Sequence, residues 1–397
     1  MPWTTPPGAG ATVHIWNGYS LGERDRRWKA VKENAGKAGF DCILIPLGNG
    51  ADGRYLTQLR CSAMALPTDG RAPIIIADRS STNAWVPEPW QTGREWAEPM
   101  AEALLDLGME RARIGVAGLK GGSVTHCDSI DGVVNHTALE YVKSKVPNAT
   151  FDDATDVVGF VRYVKSAEEI AFVRESAQVA SAGLDELIKL ARPGVDAGIL
   201  YSDVLARLLE LRSEYFPLTL SIDSIGGQKP KRYVNPPIGR RLKPHDLISG
   251  EISAIRGAQW MQVCQPILLG QIPAEWKPVI DAHKEVYEAG LAMIKPGMTF
   301  GALSDFVSGG GGARRGVKIV MQLQGCGYGD DGPLFTAKVH SDRVRDLPIE
   351  KGNVFVWKPL AMSVDAKIQF RFGGPVIVGE RSCETLFKRA HGLVEIV

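Results

Sequence analysis

This chain lacks the features that mark several whole classes of protein. Its 397 residues carry 46 basic and 45 acidic side chains, a net charge of +1 at pH 7. So even a balance leaves no electrostatic footprint for nucleic acid and no polybasic run for a membrane surface. No stretch of about 18 apolar residues occurs, so no segment is expected to span a bilayer. The opening residues, MPWTTPPGAGATVHIW, lack the basic segment and apolar stretch of a signal peptide. Six cysteines (Cys42, Cys61, Cys127, Cys264, Cys326 and Cys383) are scattered without a CxxC pair. That excludes a disulfide framework and predicts reduced thiols in the cytoplasm. A small-molecule substrate is the expected partner, with no nucleic acid and no membrane.

What is present is ordinary for a globular protein: 44% hydrophobic and 23% charged residues. The length exceeds the roughly 250 residues at which single cores stop growing, so two domains are expected. Residues 1–20, rich in Pro, Gly and Thr, read as an extended lead-in. Residues 23–37 have the period of an amphipathic helix, with Trp28, Val31 and Ala35 on one stripe and Gly39 as the stop. Short apolar strands follow at 42–46, 72–77 and 114–117. Between the last two, a helix is expected over 92–107, with Thr92 and Glu95 spaced as a capping box and Pro99 kinking it or delaying its start. Strands alternating with helices predict an α/β domain with a parallel or mixed sheet over residues 1–155.

Residues 156–397 read as a second domain. Ser166 and Glu169 are spaced as a capping box ahead of a helical run over 170–190, which stops at Arg192-Pro-Gly194. About 100 residues later, a helix over 274–293 stops at Lys295-Pro-Gly297, and a short helix follows in both copies. Two halves related by pseudo-symmetry would place a site between them. Equally, basic-Pro-Gly is a common helix terminator. Strand-like runs at 246–254, 262–269, 317–323, 353–357 and 369–378 predict a curved antiparallel sheet. The glycine run 309–312 with Arg314 and Arg315 reads as a loop, and the absence of a following GK[ST] argues against a phosphate cradle.

Several motifs stand in a telling order. The first half has Arg26-Arg27, Gly39-Phe-Asp41 and Arg54-Tyr-Leu-Thr57. The second has Arg162-x-x-Lys165-Ser-x-x-Glu169-Ile170, Asn235-Pro236 with Arg240, and His245-Asp-Leu-Ile-Ser-Gly-Glu251. Gly325-Cys-Gly-Tyr-Gly329 and Gly352-Asn-Val-Phe-Val-Trp-Lys-Pro359 complete the series. In this order and spacing, most of the chain resembles the pita-bread superfamily of methionine aminopeptidase, prolidase, Xaa-Pro aminopeptidase and creatinase. The resemblance implies a two-domain α/β protein: a creatinase/prolidase-like N-terminal domain over 1–155 and an α+β pita-bread domain over 156–397. It also implies a homodimer in which the N-domain of one subunit helps close the other's site, with Arg54 and Tyr55 the residues for that role.

The resemblance further implies two divalent metals held by two Asp, one His and two Glu. Glu251, Gln262, Cys326, Lys358 and Gly373 stand in those places. A lysine among the donors adds a repelling charge, so no metal or other cofactor is expected. The alternative is a rearranged mononuclear site drawn from Cys264, Cys326, His340, Glu251 or the Asp330-Asp331 pair, where thiolate and imidazole would favour zinc. Creatinase supplies the precedent for metal-free hydrolysis in this pocket. Its histidine before Asn-Pro is Val234 here, so creatine itself is a poor substrate.

The candidate catalytic residues are Glu251, Cys326, Lys358 and His340. Glu251 could be a general base, Cys326 a thiolate nucleophile activated by Lys358, and His340 an acid/base. Lys358 could anchor an anion or transfer a proton. Against these stand bland readings: a structural Lys358–Glu251 ion pair and a cysteine buried as a small hydrophobe. Arg371 could clamp an anion in bidentate fashion or form a surface salt bridge. Gln262 and Cys264 lie in the same neighbourhood, Cys264 also reading as sheet packing. Trp260, Tyr233, Tyr328 and Trp357 could wall a planar anionic ligand, or belong to the core. The expected function is a metal-independent, creatinase-like enzyme acting on a small polar or aromatic acid, by C–N hydrolysis or by lyase or C–C chemistry. The competing readings are a non-catalytic binding protein and a metallo-aminopeptidase with a rearranged site.

Overall fold

The computed structural model describes residues 18–47, 50–78, 82–92, 95–120, 133–225, 239–311, 316–329, 331–332, 334–336 and 344–397. The first half is built on a six-stranded sheet. Its order is Trp90–Thr92, Ile74–Asp78, Ser62–Pro67, Cys42–Ile45, Arg113–Val116, Thr150–Asp153. The central strand Cys42–Ile45 runs antiparallel to Ser62–Pro67 and parallel to Arg113–Val116, so the sheet is mixed. Ser20 starts the first helix, Leu21–Lys37, its hydroxyl accepting from the Glu23 N–H. Val31 and Ala35 are buried against the sheet as the stripe predicts.

The helix expected over 92–107 begins instead at Ala97 and runs to Asp106. Thr92 ends a strand, and its hydroxyl bonds the Glu95 carbonyl rather than capping the helix. Pro99 falls in the first turn, where its missing N–H costs nothing.

In the second half, the capping box at Ser166 and Glu169 forms in full and opens the helix Ala167–Leu190. The counterpart is Lys277–Met293, entered through the 3-10 turn Ala274–Trp276. Both helices close through a left-handed glycine, Gly194 at φ +90° and Gly297 at φ +83°. Both are followed by a helix capped by a side chain, Asp196 before Ala197–Glu210 and Thr299 before Phe300–Phe306. Each capping residue also forms an isolated antiparallel bridge, Asp196 to Arg241 and Thr299 to Pro348. The repeated basic-Pro-Gly is therefore a true structural duplication.

The expected strand runs break where the curved sheet changes partners. Run 262–269 divides into Gln259–Val263 and Ile267–Leu268 around Pro266, which has no N–H for a ladder. Run 317–323 becomes Val317–Val320 and Gln322–Gly325, which lie in two different sheets. Run 369–378 divides at Gly373 into Gln369–Arg371 and Gly374–Val378. The two halves are joined by a bridge in which Cys264 and Gly373 exchange backbone hydrogen bonds of 2.9 and 3.0 Å. One large core lies behind the sheets, against the two long helices.

Candidate active site

Alternation along strands decides which side chains meet on the sheet face away from that core. In the strand Asp246–Arg256, Ile252 and Ala254 belong to the core, so Glu251 and Ser253 point the other way. The neighbouring strand Gln259–Val263 sets Gln262 directly opposite Ser253. From the other half, the strand Val354–Trp357 buries Phe355 and Trp357 in the core and delivers Lys358, its next residue, to the same face.

Lys358 Nζ lies 2.5 Å from Glu251 Oε1 and 2.6 Å from Gln262 Oε1. The Gln262 amide in turn donates to Glu251 Oε2 at 3.3 Å. Arg371 Nη1 stands 3.6 Å from Glu251 Oε1. Burial alone would push the Glu251 carboxyl up, but Lys358, Arg371 and the Gln262 amide together hold it below the ordinary carboxylate range. Cys264 is buried beside the cluster with its thiol on the Gly250 carbonyl at 3.0 Å, and burial pushes that thiol up to about 11. Sheet packing, not thiolate chemistry, is the role this gives Cys264.

Cys326 is not brought to Lys358. The Cys326 N–H bonds the Val354 carbonyl, four residues before Lys358 on the same strand. At about 3.3 Å per residue this separates the two backbones by roughly 13 Å. The side chain is 1% exposed and packs among Trp260, Met261, Val354, Val356 and Ile377. At that separation, activation of the thiol by Lys358 has no geometric basis.

The aromatic wall is likewise corrected. Trp260 shares the Gln262 face, two residues away. Trp357 lies on the opposite face, its indole donating to the Tyr287 carbonyl at 3.1 Å behind the sheet. Tyr328 leaves the pocket for the seam with the first half, where its hydroxyl accepts from Arg27 Nη1 at 2.9 Å. Tyr55 packs edge-on to Tyr328 at that seam, and Arg54 makes a two-pronged 2.7 Å pair with Glu214 of its own chain. Tyr233, His340 and Asp330 lie outside the described residues.

Sequence reasoning missed three groups of buried polar residues. Arg27 is fully buried among the rings of Tyr19, Tyr55, Trp85 and Tyr328 and pairs with Glu23 and Glu169. Asp331 pairs with Lys165 at 2.9 Å and with Arg162 at 3.5 Å, which removes it from any metal site. His283 bonds His391 at 2.9 Å and the carbonyl of Pro359, the residue after Lys358, at 2.8 Å. The Arg26-Arg27 motif and the Lys165…Glu169 spacing were the available signals for the first two. Nothing in the sequence linked the histidines, which are 108 residues apart.

The residues do not fit a two-metal centre. The Lys358 ammonium fills the gap between Glu251 and Gln262, the donors on two neighbouring strands. A Cβ at Gly373 would lie 1.9 Å from the Trp357 carbonyl oxygen, so this backbone admits no side-chain ligand there. Among the described residues, no group of three or more His, Cys, Asp and Glu side chains could hold a metal ion. No described helix is long and apolar enough to cross a membrane.

This architecture, a mixed-sheet domain before a duplicated, curved-sheet domain, is that of the two-domain pita-bread proteins. The chain belongs to metallopeptidase family M24, whose model matches residues 171–380. It superposes on dipeptidase PepE of Mycobacterium ulcerans with a TM-score of 0.73 at 19% identity, covering 96% of this chain and 100% of that one. Against X-Pro aminopeptidase of Thermotoga maritima the TM-score is 0.72 at 16% identity, over 93% and 99% of the two chains. In sequence it is 25% identical to the uncharacterized hydrolase/peptidase y4tL of Sinorhizobium fredii, over 69% of this chain and 72% of that protein. It is 24% identical to ectoine hydrolase of Halomonas elongata, over 63% and 64%.

Proposed function

We propose that the chain is a metal-independent hydrolase that cleaves a C–N bond in a small polar or aromatic acid. One observation carries the reading: a lysine ammonium sits between Glu251 and Gln262, on the sheet face away from the core, with contacts of 2.5 and 2.6 Å. An ammonium has three donors, and these two contacts use two. The third can polarise a carbonyl oxygen that enters the pocket. Arg371 supplies the planar fork that suits the substrate carboxylate.

On this reading, water adds to the carbonyl carbon and gives a proton to Glu251. Negative charge then gathers on the carbonyl oxygen and draws Lys358 towards it. As Lys358 loosens its hold, the Glu251 carboxylate becomes a better proton acceptor, which answers the objection that a salt-bridged carboxylate is a weak base. The proton passes to the nitrogen as the C–N bond breaks, so no charge is left unbalanced. Relatives bearing hydrolase names, among them the ectoine hydrolase, support hydrolysis over lyase chemistry.

The test is turnover of a panel of small amide-bearing acids by protein purified without added metal, with elemental analysis of the same sample. Turnover at background metal content, unchanged by a strong chelator, is the expected result. Near-stoichiometric metal, with activity lost on chelation, would overturn the reading.

A further inference from the structure

Two side chains on the pocket face are nine-tenths buried or more and have a polar atom without a partner among the described residues: the Ser253 hydroxyl, at 2% exposure, and the Trp260 indole N–H, at 7%. The half-buried Gln322 adds a third such atom, its Oε1. Buried polar atoms are nearly always bonded, so atoms left unpaired among the described residues and gathered on one face call for a further partner.

Their positions centre on the Lys358–Gln262 contact. Ser253 faces Gln262 directly across the ladder, which brings their Cβ atoms within about 5.5 Å. Trp260 is two residues from Gln262 on the same face, roughly 7 Å along the strand. Gln322 accepts the Lys358 N–H on its backbone carbonyl at 3.2 Å and so lies beside Lys358 in the adjoining strand. A hydroxyl donor thus stands across the ladder from Gln262, one partner of the ammonium, and an amide acceptor in the strand beside Lys358.

We infer that Ser253 and Gln322 recognise a secondary amide, and that the ligand class is an N-acylated amino acid, a carboxylate whose nitrogen bears an acyl group instead of a charge. The amide carbonyl takes the Ser253 O–H together with Lys358, and the amide N–H donates to Gln322 Oε1. The local charge argues against a substrate ammonium: Lys358 already matches Glu251, and Arg371 adds a further positive charge 3.6 Å from that carboxylate. A carboxylate is welcome there and an ammonium is repelled. The Trp260 ring walls the acyl end, with its N–H available to a polar acyl group. This inference rests on the reading of the site as one for small acids and adds the amide and the two residues that sense it.

The test is a set of three isosteres: N-benzoylglycine, 4-oxo-4-phenylbutanoate and 4-phenylbutanoate. Each step removes one hydrogen-bonding group, first the N–H and then the carbonyl oxygen. Isothermal titration of the wild-type protein should show affinity falling about tenfold at each step, the scale of one well-made hydrogen bond. In Ser253→Ala the ketone should lose part of its advantage over the alkyl acid, the rest being held by Lys358. In Gln322→Met the amide should lose its advantage over the ketone. Ser253→Ala removes a hydroxyl that bonds nothing among the described residues, so this variant stays folded. Equal wild-type affinity for all three acids, or steps unchanged in both variants, would overturn the amide assignment and leave the small-acid reading standing. No binding of any of the three would overturn both.

Discussion

Lys358 Nζ and Glu251 Oε1, 107 residues apart in the chain, meet at 2.5 Å across the junction of the two duplicated halves. The pair is both an element of the fold and the centre of the site. Replacing either partner therefore has two consequences, and they can be separated.

Lys358→Met should reduce turnover below detection. It should also cost about 3 kcal/mol, since it strands a largely buried carboxylate that Arg371 compensates only in part. Adding Glu251→Gln to it should restore most of the stability, measured by urea denaturation, and none of the activity. Retained turnover in the single variant would remove Lys358 from the chemistry.

Cys326→Ala should leave turnover within about threefold of wild type and cost about 1 kcal/mol through lost packing among Trp260, Val354 and Val356. A loss of a hundredfold or more in kcat, in a protein of near-normal stability, would return the thiol to the mechanism.

The fate of Cys326 illustrates what the sequence could tell. Fold, duplication and the Glu251–Gln262–Lys358 grouping were legible, because motif order fixes which strands adjoin. Periodicity named Ser166 and Glu169 as a cap, and the chain built it in full. Which residues touch within a strand pair depends on register, and a four-residue offset separates Cys326 from Lys358. Trp357 stands next to Lys358 in sequence, yet alternation sends it through the sheet to the opposite side. Ser253 was overlooked because a serine in a strand is unremarkable until its hydroxyl is found buried without a partner among the described residues.

Gly250 and Gly373 occupy matching places in the two halves, at φ +155° and +154°. A Cβ at either would lie 1.9 Å from a backbone oxygen, of Thr219 or of Trp357. Gly373→Ala should destabilise by more than about 2 kcal/mol and disturb the Cys264 bridge, with loss of turnover. A variant with unchanged thermal midpoint and activity would show that the junction can yield at no cost.

Acid should weaken the protein well before carboxylates titrate. Burial holds His283 down to about 3 and His391 down to about 4, so both are neutral when folded. Once unfolded they protonate near the usual value of about 6.5. The unfolded state thus binds more protons below that point, and stability present above about pH 6.5 is lost as pH falls towards 4 and 3. Glu251, depressed when folded, adds a further loss as pH drops below its ordinary value. Stability measured by denaturation from pH 7 to pH 4.5 should decline, and His283→Gln should flatten that decline. An equally steep decline in the variant would place its origin elsewhere.

Glu169 ends the long reach of the first half into the second. Its carboxylate accepts the Ser166 N–H to complete the cap and also pairs with Arg26 and Arg27 of the opening helix. Arg27 in turn holds Tyr328, two residues beyond Cys326. Amputating the first half would therefore leave a buried acid without its counterions at the start of the principal helix and a phenol without its donor at the seam. The two halves are not interchangeable parts, and a graft that swaps one must carry Arg26, Arg27 and Glu169 together.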